Sequence, residues 1–284
     1  MGASTVFLAV PTYNGIPNDS STMQTIRTWQ SRLRARGGAL SFAPLKGCSV
    51  IGRARAELVT WFLNSRECYD RMFGGRGTAK SPTQDVRDFD PDNIDKHDVF
   101  VFLDDDVWGE REDCLDRLLA LLEAGADIAS APALQRGNGR PNFIPAGEPI
   151  ALDTEGFAIE PFVLGRERVV ECSVTGFGCV AIKRAVLERM TKVYENTWNR
   201  SIAFPGMKTW GMFNPIIIQG SPEDPNSRWQ LDDDYSWSQR ALKAGFRIHA
   251  AIDIATLHRG ERCAVGEEYD RALREQGGRL LTAP

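Results

Sequence analysis

Three consecutive aspartates, Asp104, Asp105 and Asp106, follow directly on the apolar run Val99-Phe-Val-Phe-Leu103. A run this short, β-branched and aromatic reads as a buried strand of a mostly parallel sheet. Side chains alternate faces along a strand, so Asp104 and Asp106 are expected to point the same way at its carboxyl end. Two carboxylates on one side of a strand end offer hard oxygen ligands suited to Mg²⁺ or Mn²⁺. In open α/β sheets the carboxyl ends of the strands are also where ligands bind. The competing explanation is helix capping, because residues Arg111 to Glu123 read as a helix soon afterwards. Capping accounts for one aspartate and leaves the other two unexplained, so a metal site is the better reading.

A chain of 284 residues with 42% hydrophobic and 25% charged residues has the composition of an ordinary globular protein with a sizeable core. The formal net charge of −4 leaves no electrostatic footprint for non-specific binding of long nucleic acid, although a local basic groove around Arg32, Arg34 and Arg36 would reopen that use. The first residues do not read as a signal peptide, and no apolar run has the length of a membrane span. Cys48, Cys68, Cys114, Cys172, Cys179 and Cys263 form no CxxC pair. They are expected to be reduced thiols of a cytoplasmic protein in a bacterial or phage-infected cell.

The remaining elements alternate between strand and helix. Thr5 to Val10 is a first strand, closed by the turn residues Pro11-Thr-Tyr-Asn-Gly15. Ser20 to Arg36 reads as a helix with Ile26, Trp29 and Leu33 on one face and Gly37-Gly38 as its stop. A short strand over Leu40 to Ala43 leads to a helix over Gly52 to Asn64. Arg53 and Arg55 lie in that helix's first turn, where its dipole disfavours cations. They are either exposed or opposed to an anion, for which a diphosphate is the natural choice. Residues 73–98 and 132–167 are rich in Gly, Pro and Asp and read as loop excursions. Strands are expected over Asp127 to Ala131, Val169 to Val174 and Phe246 to Ile254. Cys179 to Met190 is a strand-to-helix passage, Leu231 to Ala244 opens and completes a helix, and a helical tail ends the chain.

Taken in order, six segments resemble those of the GT-A glycosyltransferases, particularly a phage and bacterial group related to glycosyltransferase family 2. They are Phe7 to Gly15, Ile51 to Val59, Phe102 to Val107, Thr175 to Lys183, Asp233-Asp234 with Arg240 and Ala244 to Ile248, and Leu257-His-Arg-Gly260. The resemblance implies an α/β fold of GT-A (Rossmann-like) type, with a mixed, mainly parallel sheet flanked by helices. It implies one catalytic domain over residues 1–284, with a nucleotide-sugar-binding half (1–107) and an acceptor-binding half (108–284).

Carried over residue by residue, it sets Pro11, Thr12 and Tyr13 near the nucleotide base, and Arg53 and Arg55 towards the nucleotide or diphosphate. Ala56 stands where the family has Asn. Asp104 and Asp106 become the DxD carboxylates of an Mn²⁺ or Mg²⁺ site, which His258 can complete, and Asp104 also serves the ribose. Thr175, Gly176 and Phe177 line the sugar or acceptor. Asp234 becomes the general base of an inverting transfer, Asp233 orients the acceptor or the base, and Asp232 mainly caps the helix. The implied donor is a nucleotide sugar, with a UDP-sugar expected. The acceptor is a glycan, a protein hydroxyl or a modified base of phage DNA.

Two other functions stay open. A nucleotidyltransferase would use the same strand-end carboxylates, but usually with a basic residue near the first strand, which Pro11 to Gly15 lacks. A non-catalytic sugar- or nucleic-acid-binding protein would not need carboxylates at both the metal and the base positions.

Overall fold

The structure is a computed structural model and describes residues 4–17, 19–70, 97–133, 142–146, 168–219, 228–258 and 261–263. Its first half contains β1 (Thr5–Thr12), α1 (Ser21–Ala35), β2 (Ala39–Lys46), α2 (Ile51–Leu63), α3 (Ser65–Tyr69), β3 (Val99–Leu103), β4 (Val107–Gly109), α4 (Cys114–Glu123), β5 (Ile128–Ser130) and β6 (Phe143–Pro145). The second half adds β7 (Val169–Thr175), β8 (Cys179–Lys183), α5 (Arg184–Val193), β9 (Trp198–Arg200), β10 (Lys208–Trp210), β11 (Ile216–Gln219) and β12 (Arg228–Leu231). It closes with α6 (Asp233–Lys243), β13 (Ile248–Ala251), β14 (Thr256–His258) and β15 (Glu261–Cys263).

Eight strands form a mixed central sheet in the order β2-β1-β3-β8-β5-β13-β7-β6. Only β7 and β8 run against the common direction of the other six. Strand alternation divides the core in two. Phe7, Ala9, Phe100, Phe102, Val180 and Ile182 face one side, together with Trp61 and Phe62 of α2, Leu187 of α5 and Trp237 of α6. Val6, Leu8, Val101, Leu103 and Ala181 face the other, against Ile26 and Trp29 of α1 and Leu115 and Leu118 of α4. The result is a sheet covered on both faces, the architecture expected for an α/β chain. Burying a side chain such as Phe100 or Phe102 contributes about 1.5–3 kcal/mol. This makes β3 a rigid base for the carboxylates that follow it.

Several boundaries differ from the sequence expectation for local reasons. Strand β1 continues through Pro11 and Thr12, which pair with Leu45 and Lys46 of β2. Pairing with β3 has already ended at Ala9, so the missing N–H of Pro11 removes no bond on that side. Helix α4 begins at Cys114, three residues later than expected, because β4 intervenes after the aspartates. None of Asp104 to Asp106 caps it, since its N-cap is Asp113. Cys48, Cys68, Cys114, Cys172 and Cys179 are free thiols. No helix among the described residues is long and apolar enough to cross a membrane. The expected helical tail, and most of the two loop excursions, lie outside the described residues.

Candidate functional site

Strand β3 ends at Leu103, and the chain turns at once: Val107 N–H donates to the Asp104 carbonyl at 3.1 Å. Alternation holds only while a chain stays extended, so the expected shared face of Asp104 and Asp106 no longer follows. Asp104 is held at its backbone by N–H donation to Gly178 O (3.0 Å), and its carboxylate turns to Arg55, whose Nη2 donates to both oxygens at 3.2 and 3.4 Å. The Asp105 carbonyl accepts from Thr22 Oγ1 at 3.0 Å. Asp106 meets His258, with Nε2 and Oδ1 3.4 Å apart. The antiparallel pairing of β14 with β4 sets His258 opposite Val107 and so delivers the imidazole beside Asp106.

Arg55 is 4% exposed and is the hub of the site. Its Nη1 donates to Asp233 Oδ2 at 2.7 Å, so it joins the end of β3 to the start of α6. The guanidinium lies over the rings of Phe177 and Phe102, 5.2 and 5.9 Å from their centroids, which gives a buried cation an aromatic floor. Burial disfavours its charge, but the carboxylates of Asp104, Asp233 and Asp234 outweigh this and hold its pKa above the ordinary value. The anion opposing Arg55 is therefore internal, where the sequence suggested a diphosphate. Gly52 permits the convergence: a Cβ there would lie 3.0 Å from Asp233 Cβ and 3.1 Å from Phe213 O.

The second aspartate triplet also splits. Asp232 occupies the N-cap position of α6, but its exposed side chain makes no capping bond. Asp234 accepts from Tyr235 N–H at 2.8 Å and from Asn142 Nδ2 at 3.4 Å. A helix N-terminus by itself favours the ionised form of a carboxylate. Burial prevails instead and, against the pull of Arg55, pushes the Asp234 pKa up to about 6. Burial also raises the Asp104 pKa, again opposed by Arg55.

Thr175 and Phe177 are fully buried and so lie beneath the site, where the sequence had them lining it. Phe177 contributes to the floor under Arg55. Thr175 bonds Ser130 Oγ at 2.8 Å and accepts at its carbonyl from Ser238 Oγ, which also bonds the Asp234 carbonyl at 2.9 Å. The Thr-Gly-Phe turn thus positions the first turn of α6. Gly176 is obligatory, because a Cβ would collide with Asn142. Asn142 itself escaped the sequence reading. It lies directly before β6, in a stretch whose sequence reads as a loop excursion, and only the tertiary fold brings it to Asp234.

At the other end of the site Tyr13 is 65% exposed, while Thr12 is buried and its Oγ1 accepts from Gly15 N–H at 3.0 Å. Pro11 is buried within β1. Lys46 packs so closely over Gly15 that a Cβ there would collide with it. Tertiary structure thus brings a basic side chain to a loop that has none of its own. A cleft of about 560 Å³ opens beside Asp233, lined by the N-terminus of α2 including Arg53, by the β9–β10 hairpin and by the start of α6. On the opposite face of the sheet, Arg32 and Arg36 both bind Asp116 and Arg32 also pairs with Glu112, so much of the charge of the basic helix end is offset there.

No protein-family model matches the chain, and no curated protein matches it. Among solved structures it is similar to A197 from STIV, at 12% identity over 90% of this chain and 85% of that one, with a TM-score of 0.47. It is more distantly similar to a glycosyltransferase involved in the glycosylation of the major capsid of PBCV-1, at 10% identity over 68% of this chain and 65% of that one, with a TM-score of 0.27. Likenesses of this size do not determine an activity.

Proposed function

We propose that this protein transfers a glycosyl group from a nucleotide-diphosphate sugar to an acceptor hydroxyl, with inversion at the anomeric carbon. The observation that carries this reading is the convergence of Asp104 and Asp233 on buried Arg55, with Asp234 adjacent and an open cleft alongside. Tyr13, exposed at the end of β1, is suited to stack on the nucleotide base. Asp104 faces the ribose and keeps Arg55 in place.

Among the described residues no three His, Cys, Asp or Glu side chains form a ready cation cage. Asp106 and His258, side by side, are the residues that would hold a divalent cation here. The carboxylate suits Mn²⁺ and Mg²⁺ alike, whereas the imidazole nitrogen is less suited to Mg²⁺. When bound, such an ion offsets the charge that grows on the departing diphosphate.

Asp234 accepts the proton of the acceptor hydroxyl. The freed oxygen forms its bond to the anomeric carbon as the carbon–oxygen bond to the diphosphate breaks on the opposite face. A base with a pKa near 6 is mostly ionised at neutral pH yet still basic enough to take the proton. Asp233, on the cleft wall, orients the acceptor. The pairing of Arg32 and Arg36 with Asp116 and Glu112 speaks against a duplex DNA acceptor held by that helix end.

A nucleotidyltransferase reading gains one observation, Lys46 over Gly15, and the same experiment separates the two. Thermal shifts are measured with UDP-sugars and with nucleoside triphosphates, with and without Mn²⁺, followed by an assay of nucleotide release. Glycosyl transfer expects Mn²⁺-dependent stabilisation by a nucleotide sugar and release of the nucleoside diphosphate. Stabilisation by triphosphates alone, with release of pyrophosphate, would reject it.

A further inference from the structure

We infer that the cleft beside Asp233 takes the acceptor as an acidic saccharide, its carboxylate or phosphate on Arg53 and Arg200 and a sugar ring against Trp210. This rests on the glycosyl-transfer reading and adds the class of acceptor. At about 560 Å³ the cleft falls in the range of ~300–1,000 Å³ in which small ligands are held.

Four features of its wall point to an anionic, hydroxyl-rich ligand. Arg53, from the first turn of α2, and Arg200, from β9, both line it, and neither has a carboxylate partner among the described residues. Helix α2 is 13 residues long, its N-cap, Val50, makes no side-chain capping bond, and its first residues, Ile51, Gly52 and Arg53, line the cleft. Thr209 lines the cleft, is 5% exposed, and has a buried hydroxyl with no hydrogen-bond partner among the described residues. A buried hydroxyl left unpaired is costly. Finally, Asn214 and Gln230 present exposed amides, each both donor and acceptor as sugar hydroxyls are, next to the half-buried ring of Trp210.

Two carboxylates, Asp232 and Asp233, share this wall. Asp233 is turned to Arg55, whose charge Asp104 also shares, and exposed Asp232 stands against the two guanidinium groups of Arg53 and Arg200. A neutral glycan would leave both arginines unused, and an uncharged base would use neither them nor the amides fully.

The test titrates the full chain with trigalacturonate and with galactose 6-phosphate, each beside its uncharged counterpart, the methyl ester and free galactose. Binding is read by ligand-observed NMR. At least one acidic ligand is expected to bind about tenfold or more tightly than its counterpart, and the arm that does so tells carboxylate from phosphate. Arg200→Gln, at an exposed position, should remove that preference while UDP binding stays unchanged. The inference is overturned if the uncharged ligands bind equally well, if no saccharide binds, or if UDP displaces the acidic ligand. That last outcome would assign both arginines to the donor's diphosphate. Nucleotide release keeps the two readings apart. Release from a UDP-sugar without any acidic preference overturns the acceptor class alone, whereas acidic preference without release overturns glycosyl transfer and leaves the subsite standing.

Discussion

The chain contains the same three letters twice, Asp-Asp-Asp at 104–106 and at 232–234, and the fold treats the two triplets differently. The first ends a buried strand and is opened by a turn, so its members diverge: Asp104 to Arg55, Asp106 to His258, and Asp105 held through its carbonyl. The second starts a helix, so its members fan out by helical rotation. Asp232 faces solvent, Asp233 meets Arg55, and Asp234 turns towards Asn142. One side chain, Arg55, joins the two. A carboxylate's chemistry here is set first by burial and by its partner, with its neighbours in sequence adding smaller effects.

Removing that joint should have the largest effect. Arg55→Met would leave Asp104 and Asp233 half-buried without their counter-charge, and breaking a buried ion pair costs about 3–5 kcal/mol. Urea denaturation should show a loss on that scale, and a change of under ~1 kcal/mol would mean that the triplets are independent.

The second test separates Asp234 from its neighbours. Asp234→Asn should keep donor binding but lower transfer by ~100-fold or more, the scale of a lost general base. Because burial raises the Asp234 pKa to about 6, transfer in the parent should rise with pH through about 6 and level off above it, and the variant should lack that inflection. Stability has the opposite dependence. Between the ordinary carboxylate pKa near ~4 and about 6 the folded protein retains a proton that the unfolded chain has lost, so this group's contribution to stability falls as pH rises through that window. A pH–rate profile and a pH series of denaturation midpoints check both signs.

A smaller effect distinguishes the members of the first triplet. Asp106→Ala should abolish the enhancement of nucleotide-sugar binding by Mn²⁺, and His258→Ala should weaken it, with the fold intact in each case. Asp105→Ala should respond to Mn²⁺ as the parent does, since among the described residues its carbonyl, and not its carboxylate, is bonded in the turn. Calorimetric titration with and without Mn²⁺ reads all three. An undiminished response in Asp106→Ala would dissolve the contrast between the triplets.

The smallest effect belongs to Asp232→Ala. An aspartate at an N-cap ordinarily contributes about 0.5–2 kcal/mol, but this one makes no capping bond. Its loss should change stability by no more than ~0.5 kcal/mol, as measured by thermal denaturation. A larger loss would show that the cap forms in solution.

What the sequence determined by itself was the existence and type of the main elements that local pattern encodes. The alternating apolar residues of β1 and β3, the i, i+3, i+7 face of α1 with its glycine stop, and the aspartates at a strand end were readable without coordinates. These features follow from backbone periodicity and turn chemistry, which act over a few residues. Only the tertiary structure decided partners. Arg55 meets Asp233 across 178 positions of sequence, and Asn142 meets Asp234 across 92. His258 reaches Asp106 through a strand register that no local signal encodes. Thr175 and Phe177 were located at the site but not beneath it, because burial depends on what packs above a residue. The Asp234 pKa went the same way: the helix terminus is visible in sequence and favours the anion, whereas the burial that outweighs it exists only after folding.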